Sequence, residues 1–219
     1  KAPGWFDRLL GEPFDVFANL MSSVIYEAAR RGEGVIIGHG SQVLLKDFSC
    51  AMHVLVVSTE EHRIKNIMTQ MGISREAAGK IIQKSDNENM GFYRYAFQKD
   101  WDDPDMYDVC INPGKIGIER TAQTIIEMAQ YPELKACNIY AVDALDRFSK
   151  TKRIEAALIE QGVNVKGLRL EMPEKGLVQI SGILDNPMDK DSIAEIIKQT
   201  PGVERVDMDT LMVLPASYD

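Results

Sequence analysis

The sequence predicts an α/β fold built on a parallel sheet, followed by a smaller α+β unit of order αββαβ. Three observations carry this. Short apolar runs at Val35–Ile37, His53–Ser58 and Tyr107–Asn112 alternate with amphipathic helical stretches, the pattern of parallel strands joined by helical crossovers. From Lys150 the order changes to helix, two alternating strands, helix and strand. The chain has 219 residues, 45% of them hydrophobic, enough for a medium domain and a small one, each with a core.

Residues 12–31 read as a helix with apolar positions Phe14, Phe17, Met21, Val24, Ile25 and Ala28, closed by Arg30-Arg31-Gly32. The β-branched run Val35-Ile36-Ile37 suits a strand buried on both faces. After the strand His53–Ser58, Thr59 opens a helix with Glu60, Glu61 and Arg63 in its first turns, and Ser74 is the N-cap of the next. Asp86–Asp108 is aromatic and acidic. Tyr107–Asn112 is a third buried strand and Ile118–Met128 a final helix. Tyr131-Pro132 punctuates that helix, and residues 133–149 read as a connector with helical character. These signals divide the chain into residues 1–130, a helical linker at 131–149 and the αββαβ unit at 150–215. In that unit Lys152–Gln161 and Asp191–Gln199 are amphipathic helices. Two strands meet at a Pro173–Gly176 turn, and Pro201-Gly202 leads into the last strand.

A formal net charge of −8 argues against a nucleic-acid partner. No apolar run is long enough to span a bilayer. Cys50, Cys110 and Cys137 lack metal-ligand spacing and read as reduced, buried thiols of a cytoplasmic protein. Asp102, Asp103, Asp105 and Asp108 suggest a metal cluster by number, but Pro104 and the strand that follows favour caps and turns.

The strand end "VIIGHGSQVLL" raises the question of phosphate binding, because Gly38 and Gly40 free the backbone where ligands approach parallel sheets. A Walker A string, with its lysine followed by Ser or Thr, occurs nowhere in the sequence.

Over roughly residues 5–129 the chain resembles the cytidylate kinase-like branch of the nucleoside monophosphate kinases. The resemblance rests on "RRGEGVIIGHGSQVLLKD", "STEEHRIKNIM" and "GISREAAGKIIQKSDNENMGFYRYAFQKDWDDPDMYDVCIN". It implies a P-loop nucleotide-kinase fold that passes a phosphoryl group from ATP, with magnesium, to a pyrimidine nucleotide beneath an arginine-bearing lid. Three departures stand against transfer. The family's P-loop corresponds to sequence upstream of Lys1. Gly38-His39-Gly40 stands where the family has Gly-Arg-Gly. Asn87 or Asn89 occupies a lid position where the family usually carries arginine, whose planar fork grips phosphate oxygens bidentately.

The resemblance makes Gly38, His39, Gly40, Arg63, Lys80, Lys84, Asp86 and Arg94 the candidate nucleotide- or phosphate-binding residues, with no catalytic residue and no metal ligand. Each has a plainer reading. Arg63 and the Lys80/Lys84 pair would be solvated helix charges, Arg94 would pack the lid, and His39 would be a hydrogen-bonded strand-end residue. Residues 150–214 resemble the BON domain through Gly176–Gly182 and Pro201-Gly202-Val203 with Val206, implying a non-catalytic module for a hydrophobic or lipid ligand or a partner.

The expected function is a cytidylate kinase-like domain degenerate in phosphotransfer, binding a nucleotide or serving as a scaffold, coupled to that module. Two alternatives remain open. One is an active kinase whose P-loop half lies upstream and which would use ATP and magnesium, whereas the first reading requires no cofactor. The other is a purely structural assembly protein. Besides a nucleotide, the candidate partners include a second copy or another chain completing the sheet. In the related kinases the P-loop strand lies between those matching Val35–Ile37 and His53–Ser58, so without it these two must pair directly or present open backbone.

Overall fold

The computed structural model describes residues 14–32, 34–134, 138–184 and 190–213. It has a mixed α/β architecture and divides into two compact units. Of the described residues, 40–134 form the first; 14–32 and 34–39, with 138–184 and 190–213, form the second.

In chain order the second unit begins with helix α1, Phe14–Arg30, and the first with the short α2, Ser41–Leu44. The first unit continues through β1 (Val54–Val56), α3 (Glu60–Met71) and α4 (Arg75–Phe97). It closes with β2 (Val109–Ile111), the short α5 (Pro113–Ile116) and α6 (Ile118–Ala129). β1 and β2 pair in parallel, Val54 opposite Val109 and Val56 opposite Ile111. Thr59 caps α3, its hydroxyl accepting from the His62 amide, and Ser74 does the same for α4 through the Ala77 amide. Gly72 closes α3 in the left-handed conformation that a glycine adopts without strain. A small core of Ile64, Ala78 and Ile82, flanked by Ile67, Met68 and Ile73, joins the two helices.

Val35–Ile37 departs from expectation. It is no strand, and Val35 and Ile37 are 88% and 82% exposed. β-branched residues favour extended backbone, but a strand needs a ladder partner, and among the described residues none pairs with this segment. Of the two outcomes expected for this strand and His53–Ser58, direct pairing is not the one adopted. α4 also continues through the aromatic-acidic stretch as far as Phe97. Cys50 is disulfide-bonded and Cys110 is a free, exposed thiol, which corrects the expectation of buried, reduced cysteines; Cys137 lies outside the described residues.

In the second unit, α7 runs unbroken from Ile139 to Glu160, so the boundary expected near residue 149 falls inside a helix. No Gly or Pro interrupts that stretch, and Asn138 caps it by accepting from the Ala141 amide. α1 packs along α7. Small residues permit the close approach: Ser23 and Ser149 are buried with their hydroxyls 3.1 Å apart, and Arg153 Nε donates to Ser23 Oγ. Beyond α7 follow β3 (Leu168–Glu174), β4 (Leu177–Leu184), α8 (Lys190–Lys198), β5 (Arg205–Asp207) and β6 (Leu211–Val213). β4 is central, antiparallel to β3 and parallel to β5 and β6. The single last strand expected is therefore two short ones on one edge of β4. They are separated where Asp207 turns the chain by accepting from the Asp209 amide. Ile154, Leu158, Leu170, Val178, Ile180, Leu184, Ile193 and Ile197 make the core. Gly182, at φ +118°, is obligatory, since a Cβ there would lie 2.1 Å from the Gly167 carbonyl oxygen.

Candidate functional site

The carboxyl ends of parallel strands are where open α/β sheets meet their ligands. β1 ends at Val56, and the Val57 amide still donates to the Ile111 carbonyl across the pair. Ser58 follows, its Oγ buried and without a hydrogen-bond partner, then Thr59 and α3. At the other end of β1, the His53 amide donates to Asp108 Oδ2 at 2.7 Å and the His53 carbonyl accepts from the Asp108 and Val109 amides.

Arg63 stands on the second turn of α3. Its guanidinium meets Asp86 of α4 in a two-bond fork, Nη1 to Oδ2 at 2.8 Å and Nη2 to Oδ1 at 2.7 Å. Both side chains are about one-third exposed, at 35% and 32%. The hydrogen bonds to Asp86 raise the Arg63 pKa above its ordinary value against the opposing effect of burial, so this cation stays charged at any physiological pH. A second fork joins the same helices at the surface, Arg75 to Glu61 at 2.7 and 2.5 Å, and its hydrogen bonds hold the Glu61 carboxyl below the usual carboxylate range.

The other basic candidates are also paired. Glu76, Lys80, Lys84 and Glu88 recur every four residues along one face of α4, with Lys80 2.6 Å from Glu76 and Lys84 3.9 Å from Glu88. Arg94 Nε donates to Asp100 at 2.9 Å. All these are exposed pairs of little energetic weight. Asn87 and Asn89 are exposed on α4. Asp103 accepts from the Asp105 amide and so caps the turn Pro104–Met106. Among the described residues no group of three or more His, Cys, Asp or Glu is placed to hold a metal ion.

Gly38, His39 and Gly40 are three successive residues with positive φ, at 75°, 58° and 75°. Gly38 and His39 are exposed, Gly40 buried. Gly40 has a packing reason to be glycine: a Cβ there would sit 2.1 and 2.3 Å from the ring of Phe97. Its amide donates to the Tyr93 hydroxyl at 3.2 Å. Gln42 bonds the same hydroxyl and also donates to Tyr107 Oη at 2.9 Å, while Tyr107 donates to the Trp101 carbonyl. Burial pushes the Tyr107 pKa up to about 12, with nearby Tyr93 adding to the shift. The sequence gives no sign of this Gln42–Tyr93–Tyr107 hub, because its members lie in three separate segments with no shared periodicity. The structure thus brings Arg63 and Asp86 together and ties Gly40 to α4 through Tyr93.

Residues 11–115 match the cytidylate kinase-like family. The crystal structure of an uncharacterized protein from Eubacterium ventriosum ATCC 27560 is similar, with 21% identity and a TM-score of 0.46. That similarity covers 49% of this chain and 62% of the other, so this chain spans less than two thirds of its length. No curated protein matches the sequence. The family match ends before the αββαβ unit begins, and no helix among the described residues is long and apolar enough to cross a membrane.

Proposed function

We propose that this chain is a cytidylate kinase-like protein degenerate in phosphotransfer, acting as a nucleotide-binding or scaffold domain coupled to a BON-like ligand- or partner-binding module. The observation that carries it is the state of the cations. Phosphoryl transfer depends on positioned positive charge around the moving group, and loss of one transition-state arginine costs about 10³–10⁵ in rate. Here Asn87 or Asn89 stands where the family usually carries a lid arginine, and Arg63, Lys80, Lys84 and Arg94 each face a carboxylate. Gly40, which the strand-end motif offered to a phosphate, donates its amide to Tyr93 instead.

The αββαβ unit supports the second half of the reading. Its inner face is filled by its own core. Its outer face carries Arg169, paired with Glu171, and Gln179, which donates to Asp207. Beside them lie the exposed neighbours Ile183 and Met212. That surface suits recognition. A coupled steady-state assay with CMP, dCMP or UMP, ATP and magnesium tests the proposal. The expected result is a rate equal to the protein-free blank. Turnover above the blank that Arg63→Ala abolishes would establish an active kinase instead.

A further inference from the structure

Arg63 and Asp86 are twenty-three residues apart, yet they meet in a fork that matches two guanidinium N–H groups to two carboxylate oxygens. A phosphomonoester offers the same guanidinium the same pair of acceptors with an additional negative charge. We propose that Asp86 is an internal anion seated on Arg63 where a phosphomonoester would bind, so that a ligand must displace it. The proposal rests on the nucleotide-binding reading above and adds an autoinhibitory contact to it.

Two observations favour displacement over a purely structural clasp. The fork is reachable from solvent, with both side chains about one-third exposed. α3 and α4 are already joined by the Ile64, Ala78 and Ile82 core and by the separate Arg75–Glu61 fork, so their pairing does not depend on this contact.

The test is calorimetric titration of the 219-residue chain with CMP, inorganic phosphate and cytidine. It compares the parent with Asp86→Asn, Asp86→Glu, Arg63→Ala and the double variant Asp86→Asn/Arg63→Ala. If the fork is closed nine-tenths of the time, Asp86→Asn tightens CMP about tenfold, since apparent affinity scales with the competent fraction. Asp86→Glu keeps the competing charge and stays as weak as the parent. Cytidine, lacking the phosphate, is indifferent to Asp86. Tightening of inorganic phosphate as well as CMP assigns the site to the phosphate alone, and tightening of CMP only assigns it to the nucleotide; either supports the latch if the gain vanishes in the double variant. The latch is overturned if Asp86→Asn binds no tighter than the parent, if the gain survives without Arg63, or if Asp86→Asn unfolds and so reveals a structural clasp. A parent chain that binds CMP with unchanged affinity in Asp86→Asn would refute the latch while leaving the nucleotide-binding reading intact.

Discussion

Replacing Gly40 by alanine separates a packing role from a ligand-cradle role, and Gly38 provides the internal control. Both glycines have φ +75°, so alanine at either incurs about 1–2 kcal/mol of left-handed strain. Around Gly38 there is nothing within 4 Å of the new methyl group, and the cost stops there. At Gly40 the methyl would lie 2.1 Å from Phe97 Cε2, so the ring must retreat by roughly 1.4 Å to reach ordinary contact. Phe97 cannot do so freely, being packed against Phe92 and Tyr93 with ring centroids 5.7 and 5.8 Å away. Overpacking of this kind adds about 1–3 kcal/mol, and disturbing the Gly40–Tyr93 hydrogen bond about another 1 kcal/mol. The expected loss is therefore about 4 kcal/mol for Gly40→Ala against about 1.5 kcal/mol for Gly38→Ala. Urea denaturation followed by tryptophan fluorescence measures both. Equal losses at the two glycines would show that the Phe97 contact does not constrain Gly40.

Two further predictions concern the αββαβ core and the tyrosine hub. Ile180 is 1% exposed in the centre of β4; Ile180→Asp, which buries a charge without a partner, should remove about 4 kcal/mol or more and with it cooperative unfolding of that unit, while Ile180→Val costs about 1 kcal/mol. Calorimetric scanning distinguishes them, and an aspartate variant as stable as the valine one would mean that β4 is wrongly placed in the core. Tyr107 should ionise near pH 12, above an ordinary tyrosine, visible as a step near that pH in an ultraviolet titration and lost in Tyr107→Phe. Because its folded pKa is raised, its stabilising contribution is complete below about pH 10 and fades as pH rises from there toward 12; a Tyr107→Phe variant whose titration matches the parent's would refute the assignment.

Where the sequence carried local chemistry, the structure was legible in advance. Thr59 and Ser74 announce the starts of α3 and α4 because a hydroxyl before a helical run satisfies an amide that would otherwise lack a partner. The strands β3 and β4 and their inward set Leu170, Val178 and Ile180 follow from period-2 alternation, whereas the division of the last strand into β5 and β6 does not. Val35–Ile37 differs from the expected buried strand for a physical reason. Three β-branched residues record a preference for extended backbone, whereas burial depends on a neighbouring strand that the segment itself does not encode. A change of pattern suggests a boundary near residue 149, but helix continuity depends on the absence of a breaker, and Ile139–Glu160 has none. In the candidate site, the family motifs pointed to Arg63 and Asp86 separately. Their fork, like the hub of Gln42, Tyr93 and Tyr107, joins residues far apart in sequence and emerges only from the fold.

On the proposed reading these residues do not carry out phosphoryl transfer. Its most direct test is a single-turnover experiment with γ-labelled ATP, magnesium and CMP, the protein in excess, followed long enough to register one transfer per chain. The account predicts that no label reaches CMP beyond the protein-free control, for the parent and for Asp86→Asn alike. Label transferred stoichiometrically to CMP, and lost in Arg63→Ala, would contradict it.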